Sequence, residues 1–271
     1  MFRDENIGFI GGGNMGEALI RGLIAASLLS PDKISVYDAI EARTEYLEKE
    51  YGIKGRRDIG EIAEACSIIV LAVKPQVIVQ VLHTLRSHLS RKPLVISIAA
   101  GISLSTLEGN LPEGTPVIRV MPNATALVQK GASALARGKV VSDGQLQMGM
   151  LLFNAVGKAV QVDEKLMNAV TGLSGSMPAY VLLVIEALID AGVYVGLSRE
   201  TARELVVQTV SGTSKMLEST GKHPAELKDM ITSPGGTTIH GLQVLESRSL
   251  RSALMECVEA ATRRSAELGK G

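Results

Sequence analysis

Two stretches of the sequence carry residue types that could do chemistry together. The first is Gly11-Gly-Gly-Asn-Met-Gly16, a G-x-G-x-x-G pattern. It follows the apolar run Ile7–Ile10 and opens Glu17–Ile24, whose apolar residues recur at helical spacing. At a strand-to-helix junction this pattern suits a dinucleotide. Gly11 permits the tight turn, Gly13 lets a pyrophosphate approach the backbone, and Gly16 lets helix and strand pack closely. The second stretch is Asp229-Met-Ile-Thr-Ser-Pro-Gly-Gly-Thr-Thr-Ile-His-Gly-Leu242. Here Ser233 can cap a helix, and Pro234 suits the first helical position, where its missing N–H costs nothing. Gly235 and Gly236 leave the backbone bare, and Thr237 and Thr238 add hydroxyls beside free helix-start amides. Such a terminus, with unpaired N–H groups and the positive end of the helix dipole, attracts a small anion such as a carboxylate. Taken alone, Ser233–Gly236 also fits a plain capped helix after a turn.

The elements that would position these residues follow from the apolar pattern. Ile34–Asp38 reads as the second strand, and Asp38 falls close to the acidic position about 20 residues beyond the last fingerprint glycine. A carboxylate there bonds ribose hydroxyls and repels a 2′-phosphate, which favours NAD. Arg43, Arg56 and Arg57 are near enough in sequence to reach a 2′-phosphate all the same, and a turn or cap role for Asp38 is the plainer alternative. Helical stretches follow around Arg43–Tyr51 and Ile59–Cys66. Ser67–Val73 and Leu94–Gly101 are continuous apolar runs, as expected of parallel strands buried on both faces. Val117–Met121 and Ala132–Ala136 continue the sheet. Strands alternating with helices predict a doubly wound, Rossmann-like parallel sheet, with ligands at the carboxyl ends of its strands. Those ends carry Gly11–Gly16, Asp38, Val73-Lys74-Pro75, Ala99-Ala100-Gly101 and Met121-Pro122-Asn123.

After Val162 the strand pattern stops. The sequence therefore divides into a dinucleotide-binding domain, residues 1–162, and an all-helical dimerisation and substrate domain, residues 163–271. In the second, Gly172–Ser176 reads as a flexible turn opening a long helix, Pro178–Leu197, charged only at Glu186 and Asp190. Two carboxylates near the middle of a span would each cost about 2.5–3.5 kcal/mol in a membrane, so the helix belongs inside a protein or against a second copy across a two-fold. Helices are then expected over Thr201–Thr220, His223–Ile231, Thr238–Glu246 and Arg248–Leu268. Lys and Arg together equal Asp and Glu at 28 each, which gives no reason to expect a nucleic-acid or anionic-membrane partner. The four histidines have no partners at metal or triad spacing, and no metal is expected. Cys66 and Cys257 read as reduced core residues of a cytosolic protein, and no secretory signal opens the chain.

On these residues the chain resembles the pyrroline-5-carboxylate reductase family over nearly its whole length. The matching pieces are Phe9–Gly16, Ala72–Pro75, Ser97–Gly101, Arg119–Asn123, Ala169–Ser176 with Pro178-Ala-Tyr180, and Leu227–Asp229 with Ser233–Ile239. The fingerprint is shared by many dehydrogenases, and the last two pieces are specific. The resemblance implies a Rossmann domain, a helical dimerisation domain with interlocked subunits, and reduction of a cyclic imine by NADPH or NADH. By position it makes Gly11, Gly12, Gly13, Asn14, Met15, Gly16, Ala72, Val73, Lys74, Pro75, Ala99 and Ala100 cofactor contacts. It makes Ser233, Gly236 and Thr237 carboxylate binders, and Thr238 the catalytic hydroxyl facing the ring nitrogen. Glu164 matches a substrate-proximal position. Two departures stand out: Ala124-Thr125-Ala126 where the family usually has Thr-Pro-Ala, and Met177 where it has Gly or Ser.

The chemistry fits the residues. A protonated imine is already electrophilic, so positioning a hydride donor against it supplies much of the rate. Reduction of another cyclic imine is a second enzyme reading. A β-hydroxy acid dehydrogenase would carry a lysine on the helix after Ser174–Pro178, and none occurs before Lys215. A non-catalytic dinucleotide sensor would have an eroded substrate loop, whereas Ser233–Thr238 is whole.

Overall fold

A computed structural model of the chain describes Phe2 and residues 5–269. They fall into two compact units. One comprises residues 1–176 and 260–271, the other residues 177–259. The strands end near the expected boundary, but the chain as far as Ser176 stays with the first unit.

In that unit the apolar runs form strands β1 (Ile7–Ile10), β2 (Ile34–Tyr37), β4 (Ile68–Leu71), β5 (Leu94–Ser97) and β6 (Val117–Met121). A two-residue β3 (Lys54–Gly55), β7 (Gly131–Arg137) and β8 (Gly157–Gln161) complete an eight-stranded sheet of order β3-β2-β1-β4-β5-β6-β7-β8. β1 lies between β2 and β4, both parallel to it, so the strand order reverses there. Helices α1 (Asn14–Ala25), α2 (Glu41–Tyr51) and α6 (Asp143–Asn154) cover one face. Leu19, Leu23, Leu47 and Phe153 meet Ile7, Phe9 and Val70 in that layer. Helices α3 (Ile59–Ala65), α4 (Ile78–Arg86) and α5 (Leu104–Gly109) cover the other, where Ile62, Leu82 and Leu107 meet Ile10, Ile69 and Leu71. Neighbouring strand residues feed opposite layers, which is why each strand reads as a continuous apolar run.

Two sequence expectations are corrected in this unit. β7 continues the sheet but runs antiparallel to β6. The reason lies in the short connection: a 3-10 turn over Ala124–Val128 and Gln129 at φ +56° reverse the chain, too short a link for a parallel crossover. Asn123 latches the reversal by accepting from the Ala132 N–H at 3.0 Å and from Thr125 Oγ1 at 2.8 Å. Gly172–Ser176 is not a flexible turn. Thr171–Gly175 is π-helical after α7 (Met167–Val170), and the Ser176 N–H reaches five residues back to Thr171 O at 3.0 Å. Asn123 Nδ2 donates to the Ser174 carbonyl at 3.0 Å, so the widened turn has its own partner.

The second unit is helical: α8 (Met177–Tyr194), α9 (Arg199–Thr220), α10 (Pro224–Met230), α11 (Thr237–Ser247) and the first part of α12 (Leu250–Leu268). Ser198 caps α9 by accepting from the Thr201 N–H, and Gly221 ends it in the left-handed conformation at φ +63°. Every residue of α8 keeps solvent exposure, and Leu182, Leu183 and Tyr194 are largely exposed. The continuous helical run Glu164–Tyr194 is long and apolar enough to cross a membrane. Its Asp190 pairs with Arg199 at 2.8 Å, and Glu186 is exposed. Cys66 is buried and burial pushes its thiol pKa up, whereas Cys257 is only half-buried.

Gly22 fixes how closely α1 lies against the chain entering β8. A Cβ there would meet Val156 Cγ1 at 2.3 Å and the Ala155 carbonyl oxygen at 3.1 Å. Gly22→Ala gains up to about 1 kcal/mol of helix propensity but overpacks a buried position at a cost of about 1–3 kcal/mol. Urea unfolding is expected to show a net loss with an unchanged slope; a stabilised variant would show that α1 can move aside.

Candidate functional site

The fingerprint turn has the three features its glycines are needed for. Gly11 adopts φ +102°, and a Cβ on it would sit 2.5 Å from Ala72 O at the end of β4. A Cβ on Gly16 would sit 2.4 Å from Gly11 O. A Cβ on Gly13 would meet nothing within 4 Å. The first two positions press strand and helix together, and the third leaves open space beside the helix start. Gly13 is the N-cap of α1, and no side chain caps that end. The first amides of α1 are thus available to an anion, as the pyrophosphate of a dinucleotide requires.

Asp38, just beyond β2, closes one side of this turn. Its Oδ2 accepts from the Gly12 N–H at 2.7 Å and its Oδ1 from the Ile40 N–H at 2.9 Å. On the β4–β5 side, a cleft of about 280 Å³ brings together Met15, Ala72, Val73, Lys74, Pro75, Ala99 and Ala100. All seven were expected at a cofactor. The same cleft is lined by Ile98, Met121 and Pro122, which the residue reading placed only as a sheet end. Asn14 lies in the first turn of α1 with Met15 and Gly16.

Glu164 stands apart from this cleft's lining. Its Oε1 accepts from the Leu104 N–H that opens α5 and from Arg119 Nη1 at 3.2 Å. Arg119 is a buried cation on β6, and Glu164 is its ion-pair partner. The arginine was quoted in the sequence only as part of a motif; its position inside a strand otherwise made of Val, Ile and Met was the available signal.

The anion loop lies in the second unit. Gly236, not Ser233, is the N-cap of α11, and the helix begins at Thr237. Ser233–Gly236 is instead a turn closed by the Gly236 N–H on Ser233 O at 3.1 Å, with Gly235 at φ +66°. Proline at the second turn position and a left-handed glycine at the third are the type II pattern, which outcompetes a proline-led helix start. The consequence strengthens the site: the helix starts with no side-chain cap, and Ser233 Oγ lies 2.3 Å from where a Gly236 Cβ would be. Serine hydroxyl, bare glycine and open amides lie together at the start of α11, with Thr237 and Thr238 exposed in the first turn. Two of the four histidines have local partners: His223 Nδ1 accepts from the Ala225 N–H at 3.2 Å, and His83 Nε2 lies 3.0 Å from Asn110 Oδ1.

Comparison with known proteins places both halves. Residues 164–268 match the family model described as pyrroline-5-carboxylate reductase dimerisation, and residues 6–101 match one described as NADP oxidoreductase, coenzyme F420-dependent. A pyrroline-5-carboxylate reductase of Methanosarcina acetivorans is 48% identical over 267 residues, 98% of this chain and 99% of the relative. The chain belongs to the pyrroline-5-carboxylate reductase family. A solved reductase of this family from Coxiella burnetii superposes with a TM-score of 0.94 at 36% identity, covering 97% of this chain and 98% of that one. A Plasmodium falciparum pyrroline carboxylate reductase, solved with NADP bound, gives 0.87 at 36% identity with 98% of each chain covered. Like the family's dimerisation region, residues 164–268 support homo-oligomerisation.

For this reductase-family turn the contrast between Gly13 and Gly16 makes a paired prediction. Gly13→Ala adds a methyl to open space, so the melting temperature should hold while the Kd for a nicotinamide dinucleotide rises about tenfold or more, ~1.4 kcal/mol. Gly16→Ala collides with backbone and should destabilise by about 1–3 kcal/mol. Equal effects of the two on stability, read by thermal melting beside a cofactor titration, would contradict the division of roles.

Proposed function

We propose that this chain catalyses the NAD(P)H-dependent reduction of 1-pyrroline-5-carboxylate to L-proline, the last step of proline biosynthesis. The observation that supports this is the pairing, in one chain of the family, of a dinucleotide turn with an uncapped helix start suited to a carboxylate. The chain is an oxidoreductase using a nicotinamide cofactor. Bound NAD(P)H supplies the hydride that goes to the carbon of the C=N bond, and one proton goes to the nitrogen.

The protein's part is positioning and charge. Gly11, Gly12, Gly13, Asn14, Met15 and Gly16 hold the cofactor at the start of α1, and Asp38 takes the adenosine ribose. Ala72–Pro75 with Ala99 and Ala100 line the cleft on the β4–β5 side. Ser233, Gly236 and Thr237 hold the substrate carboxylate. With the carboxylate fixed there, a five-membered ring points its nitrogen about one hydrogen bond from the Thr238 hydroxyl. That hydroxyl holds the imine in line and shares the nitrogen's proton. Glu164 acts near the substrate, oriented by Leu104 and Arg119. Residues 163–271 supply the dimer and the substrate loop, and residues 1–162 the cofactor.

We further propose a cytoplasmic homodimer, able to build larger assemblies from dimers, without nucleic-acid or membrane partners. The exposed apolar side chains of α8 support a second copy as its cover. Light scattering at micromolar concentration should give at least a dimer; a fully active monomer would remove that reading.

Mixing the protein with NADH or NADPH and pyrroline-5-carboxylate, and following cofactor absorbance, tests the activity; no turnover with either overturns it. Thr238→Val keeps the shape and deletes only the hydroxyl. It should lower kcat about tenfold to a hundredfold, ~1.4–2.7 kcal/mol for one hydrogen bond. Ser233→Ala should chiefly raise KM, because the carboxylate is bound alike in ground and transition states. A Thr238→Val enzyme with wild-type kcat would make the hydroxyl a bystander and water the proton source.

A further inference from the structure

The Gly12 peptide is gripped from both sides by groups that decide what can sit beside the adenosine ribose. Asp38 takes its N–H. Arg43, on the first turn of α2, donates from Nε to its carbonyl at 2.5 Å. The Arg43 guanidinium is held at a second nitrogen, Nη2, as well. It is ion-paired to Glu17 on α1, and its carbon lies 4.9 Å from the centre of the Tyr46 ring. Glu17 is itself tied down on its other oxygen, where the Tyr51 hydroxyl donates at 2.7 Å.

Charge and geometry work together here. A 2′-phosphate carries close to two negative charges and needs a cation; a ribose with free hydroxyls needs acceptors. Asp38 is fixed by two amides, which orient its remaining lone pairs and keep its charge in place. Arg43, which bonds the same peptide and could have answered a phosphate, already has a carboxylate partner. Burial pushes the Glu17 carboxyl pKa up, but the hydrogen bonds from Arg43 and Tyr51 and the Arg43 charge outweigh it and leave it below the usual value. Tyr51, pushed up to about 12 by burial and by Glu17, stays protonated and keeps donating at any working pH.

Resting on the nicotinamide-cofactor reading above, we infer that the ribose subsite of this chain selects NADH over NADPH, and that Glu17 is a specificity-determining residue for it. Asp38 repels the 2′-phosphate directly. Glu17 acts through Arg43, by holding the guanidinium in an ion pair so that it does not offer a phosphate fork. Glu17 touches neither substrate nor reacting atoms and is a positioning residue.

The test is calorimetric titration of the full-length protein with NAD+ and with NADP+, without substrate, so that turnover plays no part. Wild type should bind NAD+ more tightly by about tenfold or more. Glu17→Gln, close to isosteric at a partly exposed pair, should tighten NADP+ about fivefold and leave NAD+ within about twofold, the scale of one additional Arg–phosphate hydrogen bond at a solvent-accessible site. Adding Arg43→Ala to Glu17→Gln should remove that gain. Asp38→Ser should weaken NAD+ and tighten NADP+, and combined with Glu17→Gln should move the ratio further than either alone. Tyr51→Phe, which keeps the ring and loosens Glu17, is the second variant should Glu17→Gln melt early; it should shift the ratio the same way by less. An unchanged ratio in both Glu17→Gln and Tyr51→Phe overturns the inference while the reductase reading stands. A gain that survives Arg43→Ala also overturns it, because another cation then meets the phosphate. Wild type that binds neither dinucleotide removes the cofactor reading and the inference with it.

Discussion

The cofactor half of the molecule depends on one close approach of backbone to backbone. β1 ends on Gly11, whose missing Cβ would lie 2.5 Å from Ala72 O, and α1 begins so near that a Gly16 Cβ would lie 2.4 Å from Gly11 O. Side chains at either position would force β1, β4 and α1 apart. Because they stay together, the sheet reverses its strand order at β1 with a crevice between two parallel neighbours. The start of α1 then stands over the crevice with its amides open, and the β4 and β5 ends form the facing wall. The remaining packing, two apolar layers reached by alternate strand residues, serves to hold that approach rigid.

Helix ends show where the chain keeps polar groups for itself and where it leaves them for a ligand. Asp58, Ser103, Ser142 and Ser198 each cap the helix that follows, accepting an N–H from its first turn. α1 and α11 begin instead after glycine, and no side chain satisfies their first amides. A side-chain cap is worth about 0.5–2 kcal/mol. α2 and α4 also start without one, after Ile40 and Val77, so a missing cap does not by itself mark a ligand site. What sets α1 and α11 apart is the glycine before them, which leaves the approach to their first amides bare.

Much of this was legible in the sequence, because buried parallel strands are apolar runs and a fingerprint needs only a strand before it and a helix after it. Val73–Pro75, Ala99 and Ala100 are legible as strand ends from the apolar pattern alone, whereas Ala72 is marked only by the family resemblance. What escaped was set by geometry without a sequence period. β3 is two residues long, too short for a pattern. The antiparallel β7 depends on a reversal latched by Asn123, whose partners Ala132 and Ser174 are remote or follow a turn. The π-helical Thr171–Gly175 contains the two glycines that read as a flexible turn, yet its bonding is helical. Ser233-Pro234 was read as a helix start, whereas Gly235 at positive φ makes a turn and moves the start to Thr237. The Arg43–Glu17 pair joins two helices 26 residues apart and left no local trace.

The long apolar helix illustrates why composition alone does not choose an environment. Glu164–Tyr194 meets the length and hydropathy of a membrane span, but Asp190 sits in an ion pair with Arg199, and Glu186 is exposed one turn earlier. Both carboxylates fall in the last third of that run; nearer a span's centre each would cost about 2.5–3.5 kcal/mol in a bilayer, against a gain of about 1.5–3 kcal/mol per fully buried apolar side chain. A protein partner avoids that penalty where the charges keep their water while exposed apolar side chains such as Leu182, Leu183 and Leu188 lose theirs. With both protomers contributing, such burial offsets the roughly 4–15 kcal/mol of freedom lost on association. A second copy of the chain is a cover of that kind, in keeping with the dimerisation model that matches residues 164–268.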